Sequence, residues 1–196
     1  MPRTGLRSRH LSYTGRLAAR PTDAIDLVVI HCTELPDLAT AREYGERIVH
    51  AESRTGNSGH YYIDRDGRTE EWVPPGRVAH HVRGMNERSL GIELVNRGRY
   101  PDWYHSGRQA MSEAYPPAQI GALIALLRDL QRSLRNLRWI AGHADLDRGQ
   151  VVASDNPAAR VRRKLDPGPL FPWQELLRAV PLAVLREGTV EQNPSA

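Results

Sequence analysis

Cysteine is nearly absent from this sequence. Cys32 is the only one among 196 residues, which excludes an intrachain disulfide and any CxxC metal site. A lone thiol suits a reducing compartment. Long apolar runs are missing as well: no stretch approaches the roughly 20 residues that a membrane-spanning helix needs. Residues 1–24 are rich in Arg, with Asp23 their only acid, and contain no apolar core of a signal peptide. The same Arg-rich, acid-poor composition also occurs in organellar transit peptides. A soluble cytoplasmic protein with no membrane partner is the plain expectation. There is no internal repeat and no low-complexity tract. No HExxH or similar short ligand spacing exists, so any metal site must be assembled from distant segments. Charge of one sign is not concentrated either. Lys and Arg number 27 against 23 Asp and Glu, a formal net charge of +4, and the only short basic cluster is Arg160, Arg162, Arg163 and Lys164. No helix-turn-helix, zinc finger or aromatic RNA-binding pattern accompanies that charge, so nucleic acid is not an expected partner. A mildly basic surface suits a carboxylate-rich peptide equally well.

What is present fits one compact domain with a proper core, at 40% hydrophobic and 26% charged residues. Residues 1–24 read as a loosely held N-terminal arm, 25–178 as the domain, and 179–196 as a C-terminal tail, polar after about Leu185. The run Ile25 to Cys32 (IDLVVIHC) is short and β-branched, as in a strand buried on both faces. Asp37 can cap a helix reaching roughly Glu52, with Leu38, Ala41, Tyr44 and Ile48 on one side. Asp66-Gly67, inside the strand-like stretch His60–Val73, is a hairpin signal, because that turn needs positive φ. Ser89–Asn96 is another strand. Pro117 opens a helix carrying Ile120, Leu123, Ile124, Leu127, Leu130 and Leu134 at helical spacing. Arg138–His143 returns as a strand, and Pro172 to about Val180 forms a last helix. Strands and helices alternating around one hairpin predict an α/β fold, a single domain with a mixed central β-sheet flanked by helices.

Four ionisable residues interrupt or end these apolar segments: His31, Glu93, His143 and Asp166. A Glu between Ile92 and Leu94 is costly if buried unless it is paired or hydrogen-bonded. Taken alone, it also fits the solvent side of an edge strand. Each histidine alone fits a hydrogen-bonded structural role. Two histidines and a carboxylate would nevertheless supply the three protein ligands of a catalytic zinc and leave a fourth position open.

Several short motifs occur in order: Val29-Ile-His31, Gly59-His-Tyr-Tyr-Ile63 with Asp66-Gly67, Ala79-His-His81, Asn86, Ser89-Leu-Gly-Ile-Glu93, Gly142-His-Ala-Asp145 and Lys164-Leu-Asp-Pro-Gly168. Together they resemble the type 2 N-acetylmuramoyl-L-alanine amidase family, whose superfamily includes AmpD enzymes, phage amidases and peptidoglycan recognition proteins. The resemblance spans about residues 25–178. It implies one zinc ion per chain held by His31, His143 and Asp166, with Glu93 activating the attacking water and Lys164 beside the scissile carbonyl. It also makes His81, Asn86 and Arg88 candidate substrate contacts, while His80 reads as pocket wall. Arg83, Arg88 and Arg163 are candidates for stem-peptide carboxylates, although each reads first as solvated surface.

The implied reaction cleaves the amide between the lactyl group of N-acetylmuramic acid and L-Ala in peptidoglycan fragments. The leading expectation is recycling of anhydro-muropeptides in the bacterial cytoplasm. A lytic amidase acting on intact wall is the enzymatic alternative, and a non-catalytic peptidoglycan-binding module is the other. Twenty-two residues separate His143 from Asp166, a longer connection than many relatives have. Its segment 147–163 reads as either a lid or a surface loop. Oligomeric state and sugar form are left open by the sequence.

Overall fold

A computed structural model describes residues 5–185. In chain order the elements are β1 (Leu6–Ser8), β2 (Leu27–Cys32), α1 (Leu38–Gly45), β3 (Tyr61–Ile63), β4 (Thr69–Glu71), β5 (Ser89–Leu94), α2 (Pro117–Ser133), β6 (Trp139–Gly142), α3 (His143–Leu146), β7 (Gln150–Val152), β8 (Arg160–Arg162), α4 (Trp173–Ala179) and β9 (Ala183–Val184). Seven strands form one sheet in the order β1-β4-β3-β5-β2-β6-β9. The β3–β4 hairpin is antiparallel and the other pairings are parallel, so the sheet is mixed as the sequence predicts.

Alternation along the central strands decides where the chemistry sits. Val28 and Ile30 of β2, with Leu90, Ile92 and Leu94 of β5, pack against Ile120, Leu123, Leu127 and Leu130 of α2. Because successive side chains in a strand point to opposite faces, His31 and Glu93 belong to the other face. They are direct partners in the β2–β5 register. One face of the sheet is therefore the main core, and the opposite face carries the ionisable residues.

The expected local signals are found at Asp37, whose carboxylate accepts from the Thr40 N–H at 2.7 Å, at Pro117, the first residue of α2, and at Gly67, which takes φ +88° in the hairpin turn. Three expectations fail. Helix α1 stops at Gly45 rather than near Glu52. Gly45 there packs against the Trp72 ring, 3.2 Å from where a Cβ would sit, and the chain then turns back so that His50 and Thr55 form a bridge. Nor are residues 5–24 a loose arm. Strand β1 joins the sheet edge, Leu11, Tyr13 and Leu17 are buried in a second cluster with Leu38, Ala41 and Trp72, and the Arg20 guanidinium donates to the carbonyls of Pro75, Asn86, Glu87 and Ser89. The expected tail beyond residue 178 also begins inside the fold: β9 pairs with β6, and Val180, Leu182 and Leu185 are buried. Residues 186–196 of that tail lie outside the described residues.

Candidate metal centre and active-site cavity

His31 stands near the end of β2, His143 opens α3 immediately after β6, and Asp166 follows β8. Since β2 and β6 are parallel neighbours, with Ile30 opposite Gly142, the residues next in sequence, His31 and His143, come side by side at the same end of the two strands. That is why two histidines 112 positions apart meet. Their Nδ1 atoms lie 2.9 Å apart, and each is 3.0 Å from Asp166 Oδ2. Each of the three residues is only 2% exposed.

Ordinary hydrogen bonding does not account well for this triangle. If both imidazoles donated to the one carboxylate oxygen, two N–H groups would converge on each other. A shared cation satisfies all three lone pairs at once, and Asp166 Oδ1, buried and without a hydrogen-bond partner, leaves the carboxylate spare acceptor capacity. Two neutral imidazoles and a carboxylate are a zinc donor set with one position left over. Among the described residues this is the one His, Cys, Asp and Glu cluster of at least three that meets such a requirement. The protonation tendencies agree with ligation, which needs deprotonated donors. Burial and the neighbouring His143 push the His31 imidazolium down to about 4. Burial works to raise Asp166, but His143 and His31 outweigh it and hold the carboxyl well below its usual range.

Glu93 comes within 4.0 Å of His31 Nδ1, its side chain 14% exposed. Its neighbours make room for it: a Cβ on Gly59 would lie 2.8 Å from Glu93 Cγ. Burial and the Asp166 charge push its carboxyl up to about 8, with Lys164 opposing. Its strand β5 lies between β3 and β2, so the edge-strand alternative does not hold. His31, Glu93, His143, Lys164 and Asp166 all line one cavity of about 810 Å³. A buried carboxyl, a lysine and a three-donor cluster able to hold a metal thus line one cavity, a set of groups that suits hydrolysis of an acyl compound.

Residues 21–169 match the family model described as N-acetylmuramoyl-L-alanine amidase. The chain belongs to this amidase family. It is 35% identical over 135 residues to N-acetylmuramoyl-L-alanine amidase AmiD of Escherichia coli (strain K12), a match covering 61% of this chain and 43% of that protein. The match thus spans less than half the length of that relative. The structure of E. coli AmiD with the substrate anhydro-N-acetylmuramic acid-L-Ala-D-gamma-Glu-L-Lys superposes with a TM-score of 0.60 at 29% identity, over 85% of this chain and 60% of that one. The amidase LysC from Clostridium intestinale URNW shares the fold, with a TM-score of 0.64 at 22% identity over 91% of this chain and 98% of that one.

Within this amidase-family fold the remaining expected site residues separate. His81 and Asn86 line the cavity, but Asn86 Oδ1 is taken up by the N–H groups of His81 and Val82. His80 is also cavity wall, packed edge-on against His50 with ring centroids 4.5 Å apart. Arg83 and Arg163 line the cavity, and Arg163 is ion-paired to Asp147. Arg88 does not line it. Its guanidinium is engaged by the Asp26 carboxylate, which sits just before the start of β2, away from the strand ends that carry the histidines.

The segment 147–163 forms the β7–β8 hairpin. It is fastened to the 99–109 loop by Ser154 N–H to Tyr104 O and by the Ser106 N–H and hydroxyl, which donate to the Asp155 carboxylate. Only its last residue, Arg163, reaches the cavity wall, so the hairpin is a side wall support and not a lid. Sequence reading missed one feature: Glu34 and Arg99 form a buried bidentate pair at 2.6 and 2.7 Å, and Arg99 also donates to the carbonyls of Arg162 and Arg163 just ahead of Lys164. Glu34 takes φ +50°, and neither residue lies in a motif that would have marked it.

Proposed function

We propose that this chain is a zinc-dependent N-acetylmuramoyl-L-alanine amidase that frees stem peptides from small anhydro-muropeptides, in a recycling role in the bacterial cytoplasm. The observation that carries the reading is the convergence of His31, His143 and Asp166 on one point beside Glu93 and Lys164. His31 Nδ1, His143 Nδ1 and Asp166 would hold the zinc, which when bound supplies Lewis acidity and makes water a nucleophile near neutral pH. Glu93 takes the proton from the attacking water as its oxygen bonds to the lactyl carbonyl carbon. The same proton then passes to the L-Ala nitrogen as the C–N bond breaks, so that the amine leaves neutral. Lys164 steadies the negative charge that grows on the carbonyl oxygen, where a fixed cation in a poorly hydrated site is worth far more than in water.

Preference for the anhydro sugar is supported by the substrate seen with AmiD. A cavity of about 810 Å³ falls within the usual range for a small-ligand pocket. The test compares rates of stem-peptide release from soluble anhydro-muropeptide and from intact sacculus. Faster release from the soluble substrate is expected. Faster release from sacculus would overturn the recycling role in favour of a lytic one, and no release from either would favour a binding module.

A further inference from the structure

We infer that His81 is a positioning residue which fixes the tautomer of the metal ligand His31, and that Ser89, Gly91 and Asn86 exist to hold His81 in that task. The inference rests on the zinc reading above. It starts from a serine hydroxyl. Ser89 Oγ lies 2.6 Å from Met85 O and 3.2 Å from His81 Nε2. A carbonyl oxygen can only accept, so the single hydroxyl proton goes to Met85 and the oxygen is left as an acceptor. His81 must then donate through Nε2–H. A neutral imidazole has one N–H, which leaves Nδ1 of His81 as a lone pair. That lone pair faces His31 Nε2 at 3.0 Å. His31 therefore donates through Nε2–H, and its own lone pair is on Nδ1, the atom that meets His143 and Asp166. The polarity of the whole chain, from a backbone carbonyl through a hydroxyl and two rings, is set from one end.

The surroundings hold His81 to this geometry. A Cβ on Gly91 would lie 2.6 Å from His81 Cγ and 2.7 Å from Nδ1, so a glycine in the middle of β5 is what lets the ring lie against the strand. Asn86 Oδ1 accepts from the backbone N–H groups of both His81 and Val82, at 3.0 and 2.9 Å, and fixes the loop that delivers the ring. His81, Asn86, Ser89 and Gly91, scattered over three of the sequence motifs, thus form one device. Without the acceptor at His81, the His31 proton is free to sit on Nδ1, where it blocks ligation. Groups of this outer kind typically change metal affinity by about 10–100-fold.

The experiment measures zinc affinity by competition with a chromophoric chelator. In parallel, the imidazole ¹⁵N spectra of the zinc-free protein are recorded, both without substrate. Wild type should bind zinc and show His31 as the Nε2–H form. His81→Ala should weaken zinc binding by about 10–100-fold and remove that tautomeric preference. His81→Asn, whose carbonyl oxygen can stand near the Nδ1 position, should recover most of the affinity. Unchanged zinc affinity and an unchanged His31 tautomer in His81→Ala would overturn the inference and return His81 to a substrate contact, visible as a raised KM alone. A wild-type chain that binds no zinc would instead overturn the metal reading itself, and the inference with it.

Discussion

Glu93 sits between Ile92 and Leu94 in the interior of a sheet, where an unpaired carboxylate is destabilising. Its register partner is His31, so the same pairing that buries it delivers it to the cluster of His31, His143 and Asp166. Replacing it with Gln keeps the shape and removes the proposed base. Glu93→Gln should retain zinc and fold while losing about a hundredfold or more in kcat. Lys164→Ala should lose a similar factor through the unsteadied oxyanion. Single-turnover rates with zinc content measured on the same samples check both, and a zinc-loaded Glu93→Gln variant near wild-type turnover would mean that another group moves the proton. His31, Glu93, His143 and Asp166 are legible in the sequence only in combination: each alone fits an ordinary structural role, and the ordered motifs around them single them out. The direction of His81 was not legible. Its ring faces His31 from behind because of a hydroxyl and a missing Cβ on β5, and neither is visible until β5 and the 79–88 loop are brought together.

At the scale of elements, the strands and α2 were readable because their apolar residues recur at the periods of sheet and helix. The ends were less so. Ile48 continues the apolar spacing of α1 on paper, yet it is 48% exposed, because Gly45 ends the helix against Trp72 before that turn forms. The Glu34–Arg99 pair was invisible for another reason: two charged residues 65 positions apart announce nothing until the loops they stand on are folded together. Its removal has a definite consequence. Arg99→Ala leaves Glu34 buried and uncompensated and frees the carbonyls of Arg162 and Arg163, and breaking a buried pair in this way costs about 3–5 kcal/mol. Chemical denaturation should report a loss of that size. A change below about 1 kcal/mol would show that Glu34 finds water instead.

The whole molecule is held by more of the chain than its apolar periodicity marks. Residues 5–24 lack a periodic pattern, but they supply Leu11, Tyr13 and Leu17 to the second core cluster and Arg20 to four backbone carbonyls. At about 1.5–3 kcal/mol for each buried large apolar side chain, they contribute an amount comparable with the net stability of a domain. Burial of this kind follows from the tertiary shape and leaves no local signature. The parallel run of β2 and β6 likewise brings His31 and His143 together across 112 positions, and β8 with its Arg99 fastening returns Asp166 to them. The account as a whole stands on that convergence being a zinc centre that cleaves an amide. The most direct test is to strip the purified protein with a chelator, measure stem-peptide release from anhydro-muropeptide, and restore about one equivalent of zinc per chain. Loss of release on stripping and its return at one equivalent is the predicted result; full release from metal-free protein would contradict the account.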